Sequence, residues 1–157
     1  MPTSDYEARI NAALGTVLRY FNFLELNLGL CIRFLENPAD PEKSHAKLGK
    51  TSIQEKLDRL TNLLVKKKLI TDREEFDVWY QEAKEARCVR NYYVHGTWEY
   101  LPLKTEKPLS FRLPPWRSEN LRGEEKLTMS ITELEQDAQD IREAFEKFMS
   151  LRQKYNV

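Results

Sequence analysis

The chain has 157 residues, 41% of them hydrophobic, enough to bury a real core as one compact domain spanning 1–157. Charged residues make up 32% and glycines number only five, a balance that leans towards helix. Two cysteines, Cys31 and Cys88, without CxxC or Cys/His spacing exclude a disulfide framework and a zinc site, and the net charge of zero excludes a uniformly basic binder.

Residues 5 to about 36 are predicted as one long helix capped by Ser4 or Asp5. Ile10, Leu14, Val17, Phe21, Leu24, Leu28, Cys31 and Leu35 keep helical spacing, while Tyr20, Phe23, Leu26 and Leu30 make the other sides apolar too. A helix apolar nearly all round needs cover on more than one face, from other helices or a second subunit. Asn22 and Glu25, three apart, form a polar notch in it. Pro38 and Pro41 end the helix and open a linker that holds His45, to which no role is assigned.

A second helix is expected over 51–69, where Ser52 and Glu55 make a capping box and Ile53, Leu57, Leu60 and Leu64 the apolar stripe. Lys66, Lys67 and Lys68 at its end suit the helix dipole. A third helix starts at Thr71 or Asp72, with Thr71 and Glu74 as the box, and runs through Phe76, Trp79, Tyr80, Ala83 and Ala86 to a stop at Gly96.

Between 97 and 130 the pattern changes. Residues 97–101 and 109–113 alternate and contain β-formers, prolines punctuate them, and residues 126–130 supply a third short strand, with a mobile loop over 117–125. The last helix begins after Ser130 or Thr132, with Thr132 and Glu135 as its box, and buries Leu134, Ala138, Ile141, Phe145, Phe148 and Tyr155. The expected fold is mainly α: an antiparallel up-down four-helix bundle with a small antiparallel β insertion before the last helix.

The chemistry concentrates at the end of the third helix. Residues 87–123 carry a net charge of +4, seven basic groups against three acidic. Phase places Arg90 and Val94 on the side of Phe76, Trp79, Ala83 and Ala86. A guanidinium there cannot shed its charge, so it calls for a carboxylate, a phosphate or water. Asn91 and His95, four apart, share a flank. Arg90 and His95 stand about 140° apart on an ideal helix, so they converge on one small group only if the helix frays at Gly96 or two copies share a site. Ordinary alternatives are an ion pair of Arg90 with Glu25 or another acid, a His95 satisfied at the helix end, and Tyr92, Tyr93, Trp98 and Trp116 as core or interface.

Arg90-Asn91-xxx-His95 closing an amphipathic helix resembles the R-x4–6-H motif of HEPN domains, in which a polar residue follows the arginine. The resemblance covers the helical frame at about 5–96 and 131–155. It implies a metal-independent endoribonuclease, without cofactor, acting as a cytoplasmic homodimer on single-stranded RNA in a toxin–antitoxin or phage-defence setting. The motifs of two chains would face each other across the interface. His95 would then be the acid or base at the 2′-hydroxyl, Arg90 would stabilise charge on the phosphate, and Asn91 would orient; the products would be 2′,3′-cyclic phosphate and 5′-hydroxyl ends. Asn22, Glu25, Arg87 and Tyr92 are the candidate supporting residues. The alternative is a non-catalytic module of the same type that binds RNA, a nucleotide or a protein partner, such as a cognate antitoxin or regulator. One toxin branch has a tyrosine two places after the histidine, where this chain has Thr97. No Gly-rich phosphate loop or GxSxG elbow is present, two histidines exclude a multi-histidine metal site in one chain, and no apolar run is long enough to span a bilayer.

Overall fold

The computed structural model describes residues 4–100, 107–114 and 126–157. The expected loop over 117–125, Trp116 and the end of the first strand at Leu101 lie outside these residues. The chain is mostly helical with one small antiparallel sheet. Helix α1 spans Ser4–Glu36, α2 His45–Leu48, α3 Ile53–Lys66, α4 Arg73–His95 and α5 Ile131–Tyr155; strands β1 Thr97–Tyr100, β2 Leu109–Arg112 and β3 Lys126–Met129 lie between α4 and α5. Among the described residues, no helix is long and apolar enough to cross a membrane.

The structure corrects one element boundary and two capping boxes. The expected linker after Pro38 is partly helical: a 3₁₀ turn at Pro41–Ser44 leads directly into α2, and Leu48 from α2 is buried. Pro41 sits at the first turn, where its fixed φ suits a helix and its missing N–H costs nothing. Helix α4 is capped by Asp72, whose carboxylate accepts from the Glu75 amide at 3.0 Å, not by Thr71 with Glu74. Helix α5 is capped by Ser130, whose hydroxyl accepts from the Glu133 amide at 3.1 Å while the Glu133 carboxylate accepts from the Ser130 amide at 2.7 Å. Thr132 and Glu135 therefore form no box. The Ser52–Glu55 box of α3 stands as read. That helix closes with Lys68 in the left-handed region (φ 56°) and Leu69 donating to the Leu64 carbonyl at 3.0 Å, an ending in which glycine is the commoner residue.

Two compact units divide the chain, and α1, α4 and α5 each contribute to both. One comprises Asn22–Lys84 and Ala144–Val157. Its core gathers Leu24, Leu28, Cys31, Ile32 and Leu35 from α1, Leu57, Leu60 and Leu64 from α3, Phe76, Trp79 and Ala83 from α4, and Phe148, Leu151 and Tyr155 from α5. Trp79 stacks on Phe148 with ring centroids 4.7 Å apart and donates its indole N–H to the Ala144 carbonyl at 3.0 Å, so the ring is packed and its polar atom satisfied. Burial pushes the Cys31 thiol up to about 11, which leaves it protonated and inert at neutral pH.

The other unit comprises Met1–Phe21 and Glu85–Glu143. Its sheet runs in the order β1-β2-β3, both pairs antiparallel, with Trp98 opposite Phe111 and Phe111 opposite Leu127. Leu109 and Phe111 are buried, as are Val89, Tyr92 and Tyr93 of α4 and Ile131, Leu134, Ala138 and Ile141 of α5. Phe111 takes Tyr93 and Trp98 edge-on at 5.0 and 4.4 Å, and this triad ties sheet to helix.

Candidate functional site

Helix α4 stays regular to its last residue, and the Gly96 amide still donates to the Tyr92 carbonyl at 2.8 Å. Gly96 serves there through its lack of a side chain: a Cβ would stand 2.5 Å from the Tyr92 carbonyl oxygen and 3.4 Å from that of Arg112. Removing it lets β1 begin at once and pair Thr97 with Arg112. Because the helix does not fray, the separation of about 140° between Arg90 and His95 is retained within one chain.

Arg90 is half-buried in the unit that contains the sheet. Its guanidinium lies over the Phe21 ring, 5.2 Å from the centroid, and donates through Nη1 to Asn91 Oδ1 at 3.1 Å. Its Nε is buried without a hydrogen-bond partner. Among the described residues of that unit it meets no carboxylate. The arginine is thus held by an aromatic face and an amide, neither of which cancels its charge. Such a group favours an incoming anion, and its fork of donors matches a phosphate.

Around it, Asn91 is buried at 8% exposure, Tyr92 is a core side chain at 2%, and Arg87 and His95 are half-buried. Val94 corrects the expected phase: it is 39% exposed, and the buried side of the last turns runs through Val89, Tyr92 and Tyr93 instead. The sheet causes this shift, since Phe111 draws Tyr93 inward. The Tyr93 hydroxyl also donates to the Asp137 carboxylate of α5. Asn22 and Glu25 belong to the other unit. There Asn22 is exposed and the Glu25 carboxylate accepts from Lys56 Nζ at 2.7 Å, so its charge is already answered. His45 likewise lies in that unit, with Nε2 2.8 Å from Arg33 Nη1.

Two features escaped the sequence reading. Phe21, read only as core, is the seat of Arg90; an aromatic next to the polar notch was the available signal. The second is a groove of about 580 Å³ between α1 and α5, lined by Arg9, Thr16, Arg19, Tyr20, Gln139 and Arg142 among others. Arg19 and Arg142 stand 5.8 and 5.5 Å from the Tyr20 centroid, and Arg9 is held bidentately by Glu135 at 2.8 and 2.7 Å. That bond holds the Glu135 carboxyl below the usual carboxylate range. Arg9, Arg19 and Arg142 thus line this groove together with Glu135, although α5 as a whole is acidic in sequence.

Of the other positive charges in the basic segment, Lys107 is neutralised by Glu133 at 2.8 Å, and Arg112 is exposed. Among the described residues no three His, Cys, Asp or Glu side chains cluster as metal ligands. Neither a family model, nor a curated protein, nor a solved structure matches the chain.

Proposed function

We propose that this chain is an endoribonuclease of HEPN type that cleaves single-stranded RNA as a homodimer, without a metal or cofactor, in a cytoplasmic toxin–antitoxin or phage-defence setting. In this reading α1, α3, α4 and α5 form the antiparallel up-down bundle, and the α4 ends of two copies complete one site. The observation that carries it is Arg90: a half-buried guanidinium over Phe21, tied to Asn91, with a buried Nε lacking a partner and no carboxylate beside it among the described residues of its unit. An ion-paired structural arginine would have its acid beside it. This one has the environment of a group that receives an anion.

In the reaction, the imidazole of one copy's His95 takes the proton of the ribose 2′-hydroxyl as the 2′-oxygen attacks phosphorus. The bond to the 5′-oxygen breaks and that oxygen leaves with a proton, giving a 2′,3′-cyclic phosphate and a 5′-hydroxyl. Arg90 of the other copy stabilises the negative charge growing on the non-bridging oxygens, a role worth about 3–4 kcal/mol where one such donor has been removed elsewhere. Asn91, holding the guanidinium through its Oδ1, orients it. Arg87 adds positive charge one turn before Arg90.

The test is incubation of the pure protein with end-labelled single-stranded RNA in EDTA. Cleavage to cyclic-phosphate ends, lost in Arg90→Ala and in His95→Ala with folding intact, is the expected result. Cleavage that survives His95→Ala overturns the proposal. Salt-sensitive RNA binding without cleavage assigns the chain instead to the non-catalytic modules of this type.

A further inference from the structure

The half of α1 in the unit built from Asn22–Lys84 and Ala144–Val157 carries two apolar faces. One, with Leu24, Leu28, Cys31, Ile32 and Leu35, is buried in that unit's core. The other is turned outwards: Leu26 is 58% and Phe34 50% exposed, with half-buried Leu30 between them. These three residues lie four apart and so form one row, about 12 Å long at the helical rise. The row runs into a groove of about 630 Å³ between the ends of α1 and α5, whose lining includes Leu30, Phe34, Pro41, Met149, Arg33 and Arg152.

The groove is cationic as well as apolar. Arg33 and Arg152 are both half-buried; Arg33 meets no carboxylate among the described residues, whereas Arg152 reaches the main-chain oxygen of the last residue, Val157. Arg33 donates through Nη1 to His45 Nε2 at 2.8 Å, a guanidinium having no lone pair to accept with. Arg152 donates to the Val157 main-chain oxygen at 3.2 Å and to the side-chain oxygen of Asn27. The nearby acids on α1 are already engaged: Glu25 by Lys56 and Glu36 by Arg59. A second copy of the same face would therefore set its arginines against their like, with no unengaged α1 carboxylate opposite them. A row of about two helical turns is also longer than a single small amphiphile needs, and its spacing matches the anchors of a helix laid in a groove.

We propose that this face is the docking site of an acidic amphipathic helix from a partner protein. Its apolar side chains lie along Leu26, Leu30 and Phe34, and its carboxylates meet Arg33 and Arg152. The inference is independent of the reading of Arg90 and His95. The test is a random 16-residue peptide library displayed on phage and panned against the whole chain. Enriched peptides should carry apolar residues at helical spacing with Asp or Glu beside them. Their affinity, read by fluorescence anisotropy, should fall at least tenfold in Leu26→Ser and in Arg33→Glu, with unchanged circular dichroism, while Arg33→Lys should retain most of it. No enrichment, enrichment of basic peptides, or binding indifferent to Arg33→Glu overturns the proposal. So does a dimer seen by sedimentation that Leu26→Ser dissociates, because the face would then be occupied by a second copy.

Discussion

Replacing Arg90 by methionine separates a guanidinium held ready for an anion from one that braces the fold. The substitution keeps a long flexible stem against Phe21 and removes the charge. Three losses and gains set the magnitude. The bond from Nη1 to Asn91 at 3.1 Å disappears, costing about 1 kcal/mol. The contact of the guanidinium with the Phe21 face, 5.2 Å from the centroid, contributes about 0.5–1 kcal/mol, part of which a thioether over the ring restores. Against these, the buried Nε without a partner is gone, a relief of about 1–3 kcal/mol. The sum runs from about 1 kcal/mol destabilising to about 2 kcal/mol stabilising. An arginine buried against a carboxylate would behave differently, because removing one partner of such a pair costs about 3–5 kcal/mol. Urea unfolding followed by far-ultraviolet circular dichroism reads the difference, provided the slope against denaturant is unchanged. A loss of about 3 kcal/mol or more, the range of a buried pair left with an orphaned acid, refutes an Arg90 held ready for an anion.

Two further outcomes follow from the local geometry. Gly96→Ala places a methyl 2.5 Å from the Tyr92 carbonyl oxygen, a rigid backbone atom, and should destabilise by about 1–3 kcal/mol in the same assay; a neutral result would mean that the α4–β1 junction relaxes freely. Acid should weaken the fold at the α5 cap, since Lys107 foremost, with the Ser130 amide, holds the Glu133 carboxyl below its ordinary 4.5. A lowered folded-state value contributes stability above the unfolded value and loses it as pH falls through the folded one, so the loss should appear below about pH 4.5. Ser130→Ala should lower stability by about 1 kcal/mol at neutral pH, and Lys107→Met should flatten that acid limb; an unchanged limb in Lys107→Met would place the sensitivity elsewhere.

Much of the helical frame was legible because helices announce themselves locally. The Ser52–Glu55 box and the stripe Leu57, Leu60, Leu64 suffice for α3. The capping boxes of α4 and α5 were misassigned because two cap pairs overlap at each. In α5 the choice between Ser130–Glu133 and Thr132–Glu135 falls to the first, which puts Ile131 and Leu134 into the core and leaves Glu135 to hold Arg9. That partner is 126 positions away and no local pattern contains it. The same limit applies to the candidate site. Phase carried forward from Phe76 and Trp79 placed Val94 inside, but the sheet that follows the helix decides which residues of its last turns are covered. The seat of Arg90 on Phe21 joins two helices distant in sequence, a pairing that no local pattern contains. Asn22 and Glu25 were chosen as polar residues on an apolar helix; Lys56 explains Glu25 without any substrate.

The central claim, that Arg90 of one copy and His95 of another complete a single site, is tested most directly by mixing two inactive variants. Arg90→Ala and His95→Ala, each without cleavage alone, are unfolded together, refolded and assayed on single-stranded RNA in EDTA. In a mixed two-fold dimer one of the two sites regains both an intact Arg90 and an intact His95, so random pairing should restore about one quarter of the wild-type rate. Recovery near that level is the expected result. Mixtures as inactive as their components, alongside an active wild-type protein, would contradict a site shared between two copies.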